Sequence, residues 1–292
     1  MSKSSKARGR RSLLQFSAVA FASGLLARCG GASEDTSSGS DAGTNSGTDA
    51  GTSSDGGNSA AGWATGGTAA MTAKASYPDP FVTAAACALS CSMTQGPCYD
   101  AASAVRQDIS DGLPGLPMRL ALRILDSNCN PVSGASIDVW HTSAAGKYSG
   151  DDTANENVAF CTGNDSAYVS HLYFRGRQTT DASGKAYFDS CFPGWYSSRT
   201  IHVHLTIRVG GTAYLTTQLF FTDDLDNSII GTEPLYDARG SRDTTNASDT
   251  VLPKNATTAA NYIFDTARMT DGALLAWKTI ILRTIAHSSC TA

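Results

Sequence analysis

Residues 118–132, 136–140, 185–188, 201–209 and 213–221 alternate apolar and polar side chains with a period of two, the mark of a strand that hides one face. Turn signals stand between them: Asn128-Cys129-Asn130-Pro131, Asp181-Ala182-Ser183-Gly184 and Gly210-Gly211. Short alternating strands divided in this way predict an all-β domain, an antiparallel β-sandwich with long loops and few short helices. Helix is expected only in pieces, over residues 80–92 and in isolated loop turns.

The alternation is missing from the first seventy residues. Lys3, Lys6, Arg8, Arg10 and Arg11 precede an apolar run, 13–27, that is too short for a confident membrane span, so residues 1–29 are expected to be an export signal. Arg10-Arg11-Ser12-Leu13-Leu14 resembles a twin-arginine signal, the route that exports folded proteins. Leu26-Ala27-Arg28-Cys29 resembles a bacterial lipobox with Arg28 where a small residue is usual; a lipid anchor at Cys29 and an ordinary cleaved signal therefore both stand. Residues 30–70 are mostly Gly, Ser, Thr, Ala, Asp and Asn, too small to offset the entropy of ordering a backbone, and predict a disordered tether. That leaves residues 71–292 as one folded domain, displayed in the periplasm or on the cell surface.

Composition changes this picture little. The formal net charge of -4 provides no basic field for nucleic acid. Of the eight cysteines, the seven beyond Cys29 (Cys87, Cys91, Cys98, Cys129, Cys161, Cys191 and Cys290) suit an oxidising compartment, and their odd number leaves at least one thiol free. Their pairing is open.

The candidate chemistry lies in Pro193-Gly194-Trp195-Tyr196-Ser197-Ser198-Arg199-Thr200-Ile201-His202-Val203-His204. On a strand, His202 and His204 project from the same face, as a metal pair must. Tyr196 adds a hard anionic ligand candidate and Arg199 a fixed positive charge. A second phenol, Tyr148, follows a glycine turn at Gly146. A phenolate coordinates at neutral pH only if its free pKa of about 10 is pulled down by a strongly charged ion. Ferric iron does this well, whereas zinc prefers Cys, His and carboxylate, and calcium or magnesium needs clustered carboxylates. Singly, Tyr148 and Tyr196 read more often as core or corner residues than as ligands, and His141, His171 and His287 as structural or exposed.

Gly96-Pro97-Cys98-Tyr99, the blocks 138–148 and 174–181 with Gly184, and residues 193–204 run in an order similar to that of the intradiol ring-cleavage dioxygenases. These are non-haem ferric enzymes that open catechols between their two hydroxylated carbons. The resemblance covers 94–234, about half the chain, with a weaker echo at 239–243. It implies an immunoglobulin- or transthyretin-like sandwich holding one Fe(III) through Tyr148, Tyr196, His202 and His204. It also implies a small aromatic diol and O2 as reactants, and a muconate-type diacid as product. Tyr196 would act as internal base, Arg199 would stabilise negative charge, and Gln218 would shape the pocket. Gln95, Cys98 and a shorter 196–202 interval depart from the family pattern and bear on substrate identity. Two rivals remain: a non-catalytic surface-displayed binding module on this scaffold, and a different metal hydrolase or oxidase.

Overall fold

Five of the eight strands among the described residues fall where side chains alternate, and the strands sort into two sheets. The structure, a computed structural model, describes residues 62–83, 87–101, 103–150 and 158–283. All belong to one unit, residues 57–292. The expected signal, most of the tether, His287 and Cys290 lie outside the described residues.

Strands β1 (Pro117–Leu125), β4 (Lys185–Cys191), β7 (Asp265–Arg268) and β8 (Leu274–Ile281) form one sheet in the order β4-β1-β8-β7. Strands β2 (Ser136–Trp140), β3 (Arg175–Thr179), β5 (His202–Val209) and β6 (Thr212–Phe220) form the other, in the order β3-β2-β5-β6. The turn at 128–131 carries the chain from the first sheet to the second, and that at 181–184 carries it back. Gly210 and Gly211 both have positive φ (56° and 83°) and join β5 to β6 as a two-residue hairpin, a geometry that glycine adopts without strain.

One apolar cluster joins the two sheets. Leu120, Leu122 and Ile124 of β1, Phe188 of β4 and Leu274 and Ile280 of β8 pack with Ile137 and Val139 of β2, Val203, Leu205 and Ile207 of β5 and Leu215 and Leu219 of β6. Because β5 sends its odd-numbered residues into that cluster, its even-numbered residues His202, His204 and Thr206 emerge on the opposite face. That face is also buried, covered by loops. The described residues also form five short α-helices: α1 (Val158–Thr162), α2 (Ser166–Val169), α3 (Asp223–Thr232), α4 (Pro234–Asp237) and α5 (Ala256–Ala260).

Three expectations require correction. The sheets are not wholly antiparallel, since β8 pairs with β1 in parallel from Met118↔Leu274 to Leu125↔Ile281. No helix forms among the described residues of 80–92: Leu89 bridges to Ile281, Ser90 N–H donates to the Ile281 carbonyl at 3.0 Å, and a Cys87–Cys129 disulfide holds the segment extended against the sheet. The tether ends earlier than residue 70. Trp63 packs against the core, Ala64 N–H donates to Gly272 O, and Gly67 N–H donates to Gly115 O, both at 2.9 Å. A Cβ on Gly67 would lie 2.5 Å from Leu113 O, so this glycine serves close approach instead of flexibility.

The cysteines agree with an oxidised domain. Cys87–Cys129 and Cys98–Cys161 are disulfides, Cys91 is disulfide-bonded as well, and Cys191 is a buried free thiol. Among the described residues no helix is long and apolar enough to cross a membrane.

Candidate metal centre and its surroundings

Two loops cover the outer face of β5, and each brings one phenol. The first leaves β2 and turns at Gly146, where Gly146 N–H donates to Ser143 O at 2.8 Å. Tyr148 follows, its N–H donating to Cys161 O at 2.9 Å. The second loop precedes β5 and carries Tyr196. The loops interlock where Gly194 N–H donates to Ser143 O at 3.0 Å and the Thr142 hydroxyl donates to Gly194 O at 2.7 Å. A Cβ on Gly194 would lie 2.1 Å from Ala144 O. Gly194→Ala is therefore expected to cost about 1–3 kcal/mol by overpacking. Thermal unfolding reads this directly; an unchanged Tm would show that the two loops part freely.

Four side chains converge at this junction. Tyr148 Oη lies 3.3 Å from His202 Nε2 and 3.1 Å from His204 Nε2. Tyr196 Oη lies 3.2 Å from His202 Nε2, and the two Nε2 atoms are 3.1 Å apart. Tyr148, His202 and His204 are buried and Tyr196 is partly so. His202 Nδ1 sits 2.7 Å from the Thr200 carbonyl, which can only accept, so this nitrogen carries the proton and Nε2 presents a bare lone pair. His204 stacks on Trp140 at 4.9 Å with planes 8° apart, and its Nδ1 is buried without a hydrogen-bond partner.

Burial sets the charge state of this nest. It pushes His202 down to about 3, helped by the Arg199 guanidinium, and His204 well below its ordinary value, helped by His202. Burial also raises both phenols, with Arg199 opposing the rise at each. The donor set is thus two neutral imidazoles and two phenols around one point, the composition that suits a hard, highly charged cation. Among the described residues no group of three or more His, Cys, Asp or Glu offers a conventional alternative.

Arg199 and Gln218 stand beside the nest. Register places Trp140, His204 and Gln218 in one row across β2, β5 and β6. Arg199 Nη2 donates to Gln218 Oε1, and Gln218 Nε2 donates to Thr94 O at 2.9 Å. All six candidate residues are therefore gathered in one place. His141 stands apart and is structural, buried between Ser190 Oγ at 2.7 Å and Thr142 O at 2.8 Å; His171 is exposed.

Sequence reasoning missed three neighbours. Asp249 is fully buried and holds Arg199 Nε at 2.8 Å, yet it lies in a polar loop that reads as solvated. Phe160 is 59% exposed and meets Tyr196 edge-on at 6.1 Å, forming an apolar rim. The Cys98–Cys161 disulfide ties the 96–99 segment to α1 beside Tyr148. No spacing signal marks any of the three.

A family model described as "Dioxygenase" matches residues 94–267, more than half of the chain. The chain belongs to the intradiol ring-cleavage dioxygenase family. The match extends past the 94–234 stretch that carries the sequence resemblance and takes in the loop of Asp249. Two intradiol dioxygenases named chlorocatechol 1,2-dioxygenase are similar in sequence. That of Rhodococcus opacus is 29% identical over 130 residues, 38% of this chain and 46% of that protein. That of Pseudomonas sp. (strain P51) is 30% identical over 138 residues, 41% of this chain and 49% of that protein. The matches thus span about half the length of these curated relatives. In fold, the chain is similar to the intradiol ring-cleavage dioxygenase from Tetranychus urticae, with a TM-score of 0.59 at 23% identity over 69% of this chain and 98% of that one.

Proposed function

We propose that this protein is an Fe(III)-dependent dioxygenase that opens the ring of a catechol-type diol between its hydroxylated carbons, giving a muconate-type diacid. The observation that carries the proposal is the meeting of Tyr148, Tyr196, His202 and His204 at heteroatom separations of 3.1–3.3 Å. These four side chains would hold one ferric ion. Bound there, ferric iron would make a catecholate reactive toward dioxygen.

The chain's own residues supply the rest. Tyr196 is the less buried phenol; held as a phenolate by a bound ferric ion, its Oη would accept a proton from a substrate hydroxyl. Arg199, oriented by Asp249 and Gln218, presents a fixed positive charge where negative charge grows on the attacked ring. Phe160 meets the Tyr196 ring and the Cys98–Cys161 staple packs beside Tyr148, which puts apolar surface next to both phenols. We read the two packed sheets as an immunoglobulin- or transthyretin-like sandwich, which makes the β5 face a rigid base for the histidines. Export to the periplasm or cell surface is proposed as well, on the basic and apolar start of the chain and the disulfides.

The test is the purified protein itself. Stoichiometric iron, a red-brown colour and oxygen uptake with at least one of catechol, protocatechuate or hydroxyquinol are expected. An iron-loaded protein that consumes no oxygen with any of them would instead favour a binding module; a colourless protein with zinc would favour a hydrolase.

A further inference from the structure

We infer that Asp249 is a positioning residue that sets Arg199 and His202 together, an inference resting on the proposed function. Its carboxylate is fully buried and both of its oxygens accept hydrogen bonds. Oδ1 accepts from Val251 N–H at 2.8 Å and Leu252 N–H at 2.9 Å, which fixes the carboxylate within its own loop. Oδ2 accepts from Arg199 Nε at 2.8 Å and from Thr200 N–H at 3.0 Å.

Those last two bonds run to different parts of the centre. The bond to Arg199 Nε leaves the far edge of the guanidinium for Gln218, so the fork is held from both sides. The bond to Thr200 holds the backbone of the residue whose carbonyl accepts the His202 Nδ1 proton at 2.7 Å. Thr200 is held a third way, its hydroxyl meeting Asn246 Oδ1 at 2.8 Å and Arg242 Nη1 at 3.1 Å. One carboxylate thereby fixes the direction of a charge donor and, through one residue of backbone, the tautomer and heading of an imidazole. Removing the group that a metal-binding histidine bonds directly typically changes metal retention by about 10–100-fold, an upper bound for a residue acting through Thr200.

Asp249→Asn separates this role from simple support. The amide keeps the shape but cannot accept from all four donors, since its NH2 must face either the loop N–H groups or Arg199. Three readings are expected. Turnover of the iron-loaded enzyme falls about 10–100-fold, and in an Arg199→Ala background the same change costs less than about threefold, because the part acting through Arg199 is already gone. Release of iron to a hydroxamate chelator speeds up by as much as about 10–100-fold over the matching parent in either background. In iron-free protein, nitrogen-15 NMR of the histidines shows His202 as the Nδ1–H tautomer in the wild type and a mixture in Asp249→Asn. Full multiplication of the two turnover losses, unchanged iron release or an unchanged tautomer overturns the inference. A wild type that takes up no iron overturns the proposed function instead, and the tautomer still decides the role of Asp249. If Asp249→Asn does not fold, Asp249→Glu, which keeps the charge and moves the oxygens, is measured in the same three ways.

Discussion

His204→Ala should give a protein that folds, retains no iron and has no visible band. His204 Nε2 lies 3.1 Å from both His202 Nε2 and Tyr148 Oη, so its loss removes one of four donors from a nest with no spare. Neither side of the ring offers a replacement: Trp140 covers one face, and the Cα of Gly96 stands so close that a Cβ there would be 3.1 Å from His204 Cε1. Tyr148→Phe should have the same effect on colour for a different reason, since the ring stays and only the oxygen goes. Full iron content and unchanged absorption in both variants would overturn the ligand assignment, and the two results together separate a lost donor from a disturbed fold.

Arg199→Ala should do the opposite, keeping iron and colour while turnover falls by about two to three orders of magnitude, the scale of losing one preorganised charge donor. The guanidinium is anchored by Asp249 and Gln218 and also reaches the Tyr196 phenol, so Tyr148, His202 and His204 still converge without it. Its charge nonetheless acts on both phenols and on His202. Arg199→Lys should recover only part of the activity, because an ammonium keeps the charge but cannot bridge a carboxylate and an amide with one planar fork. Oxygen uptake measured beside iron content checks both variants; turnover in Arg199→Ala equal to that of the wild type would remove Arg199 from the chemistry.

Strands whose two faces carry side chains of different character were the easiest to read from the residues, even where both faces are buried. β2, β5 and β6 fall within a residue of their expected spans because their neighbours on the two faces differ in character. β3 was hidden by its arginines: Arg175 is buried among the carbonyls of Cys98 and Ser149, and Arg177 is paired with Asp138, partners that no local pattern reveals. β8 was hidden for the converse reason. It is almost continuously apolar, as a strand in the middle of a sheet must be, and periodicity cannot tell such a run from a buried helix. The histidine pair was visible because strand geometry alone puts both rings on one face. Tyr148 and Tyr196 needed the family resemblance, since loops bring them in, and Asp249 had no signal at all.

The parallel pairing of β1 with β8 has a consequence for how the domain assembles. β8 lies inside its sheet, between β1 and β7, yet it is the last strand of the described chain. β1 must therefore wait for a partner made some 150 residues later, and β7 has no place in the sheet until that partner arrives. The stretch matched by the family ends at residue 267, before β8 begins. A polypeptide trimmed to that stretch would carry all four converging side chains and lack the strand that closes the sheet behind them. The stretch that the family recognises and the stretch that builds the complete sheet are, in this chain, two different lengths of sequence.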